Sequence, residues 1–253
     1  MKNKKKTIII ISCTIVIIAF IISMIILQSQ GTFSKGNDDK YSVENTQVLE
    51  NSPIENKTII FLGSSVTYGA TSKGESFVDY LEKEDKITAV KEAVSGTTLV
   101  DNGDSSYVSR MKIIDKSIDA DAFICQLSTN DATKRKPLGE ISDSTDINTF
   151  DTSTIIGAME YIIVYAKDTW NCPVIFYTGT KYNSDYYGEM VNALLKLQEK
   201  WDIGVIDLWN SEEMNAVSGG DYKLYMVNGI HPSRAGYKLW WTPQIQKYLY
   251  ENL

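Results

Sequence analysis

Four short segments of the sequence contain residue types that can carry out acyl transfer. They are Gly63-Ser64-Ser65-Val66, Ser95-Gly96, Ser128-Thr129-Asn130-Asp131 and Asn228-Gly229-Ile230-His231. A serine hydroxyl becomes an effective nucleophile when a nearby imidazole accepts its proton. The oxyanion that then forms needs hydrogen-bond donors fixed in advance, which a glycine N–H and an asparagine amide can supply. Together the four segments indicate a serine-dependent site for acyl transfer.

Apolar segments of strand length alternate with segments of helical periodicity between residue 57 and the end of the chain. The predicted strands cover residues 58–62, 87–90, 122–127, 173–177 and 204–208, and the predicted helices cover 75–84, 108–118, 152–170, 184–201 and 234–253. This alternation predicts an α/β fold, a three-layer α/β/α sandwich around a five-stranded parallel sheet. Ligands bind at the carboxyl ends of the strands in such folds, so we expect the four segments to meet there.

On these four segments the sequence resembles the SGNH (GDSL-type) hydrolase family, over most of residues 57–253. The resemblance implies a flavodoxin-like fold and a serine esterase or lipase-like hydrolase that uses no metal or cofactor. It implies that Ser65 is the nucleophile and that His231 is the base. It also implies an oxyanion hole formed by the backbone N–H groups of Ser65 and Gly96 and by the amide of Asn130.

The sequence departs from the family pattern at the position of the triad acid, where it has Asn228. An Asn oxygen can accept the Nδ1 hydrogen of the imidazole, but it brings no charge to stabilise the imidazolium. A backbone carbonyl in that role would leave a Ser–His dyad, and a carboxylate from elsewhere, with Asp221 the nearest upstream, is a further alternative. Ser64 and Ser128 also replace family residues, an Asp and a Gly, at positions without a core catalytic role.

The amino-terminal residues have the pattern of a membrane anchor. Residues 1–6 include four lysines, and residues 7–27 form an uncharged run rich in Ile that would span roughly 30 Å as a helix. The positive-inside rule predicts a cytoplasmic tip over residues 1–6, one transmembrane helix over 7–27 and an exported remainder. Cleavage as a signal peptide is less favoured, because residues 28–31 offer no small-residue cleavage site. Lipidation at Cys13 is a third alternative.

Residues 28–56 are rich in polar and turn-forming types and show no sustained apolar period. This composition predicts a flexible linker, followed by one catalytic domain over residues 57–253.

Composition and charge exclude several classes of protein. One His among 253 residues cannot build a multi-histidine zinc site, and a formal net charge of −7 argues against nucleic-acid binding. The part after residue 27 has 21 basic and 32 acidic residues, a net charge of −11. Anionic lipids should repel such a surface, so we expect membrane contact through the N-terminal helix only.

These observations predict an extracytoplasmic serine hydrolase that cleaves carboxylic esters and is held at the cell membrane. The expected substrates are short-chain acyl or O-acetyl esters, including esters on carbohydrates. Two alternatives remain open at this stage. One is an O-acyltransferase that acts on a surface glycan, and the other is a catalytically silent glycan-binding surface domain, which the neutral Asn228 would favour.

Overall fold

The computed structural model describes residues 2–253, with the side chains of residues 2–13, 26 and 29 outside the description. The chain begins with helix α1, Lys2–Ser29. Among the residues that the structure describes, no helix is long and apolar enough to cross a membrane. The predicted basic tip and anchor fall in part on residues outside the description, so they stay predictions.

The centre of the fold is a parallel sheet of five strands in the order β2-β1-β3-β4-β5. The strands are β1 Thr58–Gly63, β2 Thr88–Ala93, β3 Ala122–Gln126, β4 Val174–Tyr177 and β5 Gly204–Ile206. The predicted five-stranded parallel sheet is confirmed, with strand ends that differ by three residues or fewer.

Helices cover both faces of the sheet. They are α2 Ser65–Tyr68, α3 Phe77–Asp85, α4 Tyr107–Met111, α5 Thr129–Thr133, α6 Ile155–Trp170, α7 Asp185–Trp201, α8 Glu212–Asn215, α9 Gly219–Tyr225, α10 Arg234–Gly236 and α11 Thr242–Asn252, with a π-helical stretch Tyr237–Trp241 between the last two. Successive strand residues face opposite sides, so Ile60 and Leu62 join one apolar core and Ile59 and Phe61 join the other. Two cores on one sheet make the predicted three-layer sandwich.

The helix predicted over residues 108–118 is shorter than expected, because α4 ends at Met111. Asp115 accepts hydrogen bonds from the backbone N–H and the hydroxyl of Ser117, at 2.9 and 2.8 Å. Such a local side-chain contact competes with the helix for the backbone, which accounts for the turn.

The structure corrects the expectation of a flexible linker over residues 28–56. Residues 31–56, which we call the strap, pack along the folded domain that follows them. Asn37 is buried and bonds to Thr71 O at 2.6 Å, and Ser52 Oγ donates to Asp85 Oδ1 at 2.6 Å. Ile54 is fully buried in the core of the α3 side. Polar composition misled the prediction, because much of this packing consists of hydrogen bonds made by polar side chains and by the strap backbone.

Candidate active site

Ser65 lies at a tight turn between strand β1 and helix α2, at the carboxyl edge of the sheet. Strand β1 ends at Gly63, where a Cβ atom would stand 1.6 Å from Thr67 Oγ1. Only glycine therefore lets α2 fold back this closely over the end of the strand. Ser65 is the first residue of helix α2, and it is buried.

Gln126, the last residue of β3, holds this turn from below. Its Oε1 accepts hydrogen bonds from Ser64 N at 2.9 Å, Thr67 N at 3.3 Å and Thr67 Oγ1 at 2.8 Å. Gln126 belongs to none of the four sequence segments. Its amide side chain inside the apolar run AFICQL could have marked it, because a buried polar group needs hydrogen-bond partners.

The structure brings Ser65, His231 and Asn228 into one chain of hydrogen bonds. Ser65 Oγ lies 2.8 Å from His231 Nε2, and His231 Nδ1 lies 3.0 Å from Asn228 Oδ1. The His231 loop is held by an antiparallel bridge between Met226 and Pro232. This is the arrangement in which an imidazole can accept the serine proton.

Asn228 sets the tautomer of His231. Asn228 Oδ1 also accepts the backbone N–H groups of Ile230 and His231, each at 3.0 Å. These two donors require the oxygen, and not the NH₂, to point at the ring, so Nδ1 carries the hydrogen and Nε2 is free to accept. Among the described residues no carboxylate forms an ion pair with the ring, and Asp221 lies on α9 without contacting it.

Burial lowers the pKa of His231 below its usual value. Desolvation disfavours the charged imidazolium, and no neighbouring charge opposes this effect. The ring is therefore neutral at neutral pH, which is the form that a general base requires.

The expected oxyanion donors lie on the loops beside Ser65. Gly96 has φ +81°, a conformation that favours glycine, and nothing lies within 4 Å of where its Cβ would be. Asn130 Nδ2 donates to Thr97 O at 2.9 Å and to Ser64 Oγ at 3.2 Å. To bind an oxyanion, the Asn130 amide must give up its longer hydrogen bond, to Ser64 Oγ, and donate to the substrate oxygen instead.

Arg110 connects the elements that carry Ser65 and Gly96. Its Nη2 donates to Gly63 O at 2.8 Å and to Thr97 Oγ1 at 3.0 Å. Its Nη1 donates to the Glu92 carbonyl and carboxylate, and its Nε donates to Ser105 O. No sequence signal marked this residue, because its partners are backbone carbonyls and side chains of other strands and loops.

Two further contacts support the Gly96 loop from helix α5 and the residue after it. Asp131 is buried and accepts the N–H groups of Leu99 at 2.8 Å and Val100 at 3.2 Å. Lys134 Nζ donates to Gly96 O at 2.7 Å. The loop is thus held at Gly96 itself and at Leu99 and Val100 after it. Within the described part of the chain, no three His, Cys, Asp or Glu side chains come together as a metal site would require.

Comparisons with known proteins agree with this fold. The sequence model of the GDSL-like lipase/acylhydrolase family matches residues 61–239. No curated protein matches the sequence significantly. A crystal structure of a protein from Lactobacillus plantarum is similar, with a TM-score of 0.66, 20% identity, and coverage of 79% of this chain and 99% of that one.

Two other similar structures carry functional names. A proposed GDSL-like lipase from Bacteroides ovatus has a TM-score of 0.58 and 19% identity, and 78% of this chain and 100% of that chain are covered. An acetyl xylan esterase has a TM-score of 0.54 and 15% identity, and 76% and 99% are covered. At these identities the structures show a shared fold.

Proposed function

The chain belongs to the GDSL-like lipase/acylhydrolase family, and from this premise we propose that it is a serine hydrolase of carboxylic esters. The observation that carries the proposal is the contact of 2.8 Å between Ser65 Oγ and His231 Nε2, with Asn228 Oδ1 on the other ring nitrogen. This contact supports the proposal, because acyl transfer needs a nucleophile, a base and an orienting group in this order.

In the proposed mechanism Ser65 Oγ attacks the ester carbonyl carbon while His231 Nε2 accepts the hydroxyl proton. The backbone N–H groups of Ser65 and Gly96 and the amide of Asn130 donate to the resulting oxyanion. Collapse breaks the bond to the alcohol oxygen, which takes the proton from His231, and leaves an acyl group on Ser65. Water then attacks the acyl carbonyl while His231 Nε2 accepts one of its protons. The bond to Ser65 Oγ breaks, Ser65 Oγ takes that proton back from His231, and the acid is released.

We propose short-chain acyl esters as substrates, and O-acetyl groups on carbohydrates as the first class to test. One structure with this fold is an acetyl xylan esterase, which supports that choice. If a sugar hydroxyl replaced water in the second step, the same site would act as an O-acyltransferase. Product that depends on an added glycan acceptor would distinguish transfer from hydrolysis.

A fluorophosphonate probe tests the proposed chemistry directly, because it reacts with a serine that a neighbouring base activates. We expect the wild-type chain to be labelled and to hydrolyse p-nitrophenyl acetate, and Ser65→Ala and His231→Ala to do neither. Thr67→Ser, which keeps the hydroxyl under the same turn, is a matched control that should remain labelled. A wild-type chain that is neither labelled nor active would reject the enzyme and favour the silent glycan-binding domain.

We also propose that helix α1 anchors the protein in the cell membrane, with residues 1–6 in the cytoplasm and the catalytic domain outside. The four lysines before an uncharged run over residues 7–27 support this topology. We expect the full chain to sediment with membranes and to resist alkaline extraction, with the domain digested by protease added outside protoplasts. Recovery of the full chain in the soluble fraction would overturn the anchor.

A further inference from the structure

The front of the strap, residues 31–42, packs against the loop that carries His231. Asn37 is 3% exposed, and its side chain makes three hydrogen bonds, one of them to this loop. Its Oδ1 accepts Arg234 N at 2.9 Å, and its Nδ2 donates to Thr71 O at 2.6 Å and Gly31 O at 2.7 Å. One buried side chain thus links the strap to two separate loops of the domain.

These two loops are the ones that flank the reacting pair. Thr71 follows helix α2, which begins with Ser65, and Arg234 lies three residues after His231. Thr71 Oγ1 also donates to Pro232 O at 2.9 Å. Asn37 therefore closes a small network that joins the nucleophile side of the site to the base side.

The strap backbone adds a close contact of its own. A Cβ atom at Gly36 would stand 2.0 Å from Leu224 O and 2.2 Å from Ser233 Oγ, so the strap lies directly on the chain that flanks the base. The Arg234 side chain pairs with Asp39 of the strap at 3.1 Å and with Glu75. The strap therefore holds the His231 loop through the backbone of Gly36, the buried amide of Asn37 and the ion pair of Asp39.

We propose that the front of the strap, residues 31–42, is a positioning element of the active site and that Asn37 is its main positioning residue. By fixing Arg234 N relative to Thr71 O, Asn37 holds the His231 loop where Nε2 meets Ser65 Oγ. The same packing keeps the imidazole desolvated. The kinetic part of this inference rests on the proposed hydrolase activity, whereas the state of the imidazole can be measured without it.

The test compares Asn37→Ala with Ser52→Ala in the full chain, purified in detergent through a tag without histidine. Both variants remove a strap side chain that is hydrogen-bonded to the domain, but Ser52 contacts Asp85 at the end of α3, away from the His231 loop. Because the chain has one His, its imidazole gives one unambiguous NMR titration curve. The second readout is kcat and KM for p-nitrophenyl acetate.

We expect Asn37→Ala to lower kcat by roughly 10- to 100-fold with little change in KM, because a displaced base weakens the transition state more than binding. We expect the pKa of His231 to rise towards its usual value as water enters. Ser52→Ala should leave kcat, KM and the titration as in the wild type.

A wild-type kcat and titration curve in folded Asn37→Ala would overturn the proposal, and so would equal losses in Ser52→Ala. Should Asn37→Ala not fold, the milder Asn37→Ser is judged by the same two readouts, with a smaller shift in the same direction expected. Should the wild type lack activity, the proposed function fails, and the titration curves alone decide the role of the strap.

Discussion

At Nδ1 of His231 a neutral amide oxygen stands where the family pattern has a carboxylate. Asn228 Oδ1 accepts two backbone N–H groups besides the ring N–H, so its orientation is set by the backbone of its own loop. A neutral acceptor orients the imidazole as a carboxylate does. It contributes less to the imidazolium that forms during the reaction, because it carries no full charge.

We predict that Asn228→Ala lowers kcat/KM by roughly 100-fold, because His231 loses the acceptor that selects its tautomer. Asn228→Asp accepts the same three hydrogens and adds a negative charge, so we expect a higher kcat and a higher pKa of His231. Initial rates with p-nitrophenyl acetate check both. Full activity in Asn228→Ala, together with an inactive His231→Ala, would show that Asn228 has no part in catalysis.

The depressed pKa of His231 predicts the pH dependence of the reaction. The imidazolium cannot accept the Ser65 proton, and burial disfavours that form, so activity should persist to lower pH than an exposed His would allow. We expect kcat/KM to rise through one ionisation with a midpoint below about 6.5 and to be level from there to neutral pH. A midpoint above that value in the wild type would contradict the buried surroundings without neighbouring charge that lower the pKa of His231.

The same shift has a consequence for stability. In the unfolded chain His231 binds a proton with its ordinary pKa, and in the folded chain it does so only at lower pH. The free energy of unfolding therefore decreases as pH falls through the ordinary pKa. It stops decreasing once the pH is below the pKa in the folded chain. Replacing His231 should flatten that part of the stability profile.

At the scale of elements, Arg110 of helix α4 determines how the ends of β1 and β2 sit beside the Gly96 loop. Arg110 is 4% exposed, and its guanidinium nitrogens reach Gly63, Glu92, Thr97 and Ser105. The planar fork donates in several fixed directions at once, which an ammonium group cannot do.

We predict that Arg110→Lys lowers kcat by roughly 10-fold or more, because the Gly96 loop shifts relative to Ser65. Arg110→Met should lower the free energy of unfolding by about 3 kcal/mol, because the Glu92 carboxylate, the buried Gly63 carbonyl and two partly buried carbonyls lose their donor. Lys57→Met is the control, since it removes a more exposed ion pair with Asp121 and should cost at most about 1 kcal/mol. Kinetics and urea unfolding measure the two effects, and an Arg110→Lys enzyme with wild-type kcat would reject the positioning role.

At the scale of the whole molecule, the strap makes the catalytic domain larger than the one predicted from residue 57. Its rear part places Ile54 in a core with Phe77 and Leu81 of helix α3, and Leu49 N donates to Glu84 O at 2.8 Å. The segment after helix α1 thus packs as part of the domain.

We predict that a chain starting at Lys57 is less stable than one starting at Gly31 by at least about 2 kcal/mol, because it lacks the burial of Ile54 and the strap hydrogen bonds. Urea unfolding of the two chains measures the difference. Gly31–Leu253 with Ile54→Ala separates the apolar contribution from the rest. Equal unfolding midpoints for the two chains would show that the strap contributes nothing to stability.

The sequence alone determined the sheet and the loops that meet at its carboxyl edge. Apolar runs of strand length alternate with helical segments, and this pattern depends on local periodicity and burial, which neighbouring residues encode. The positions of Ser65, Gly96, Asn130 and His231 after strands or before the last helical region followed from the same pattern. Helix α4 was predicted too long, because one Asx contact at Asp115 competed with a regular period.

Only the tertiary structure decided which distant groups touch. It showed that Asn228, and not Asp221, is the partner of His231. It also showed that Gln126 and Arg110 hydrogen-bond to Ser64 and Gly63 beside Ser65. It also showed that the strap, a polar segment predicted to be a flexible linker, packs through Asn37 onto the His231 loop. These contacts join residues far apart in the chain through directional hydrogen bonds, and neither composition nor periodicity carries information about such pairings.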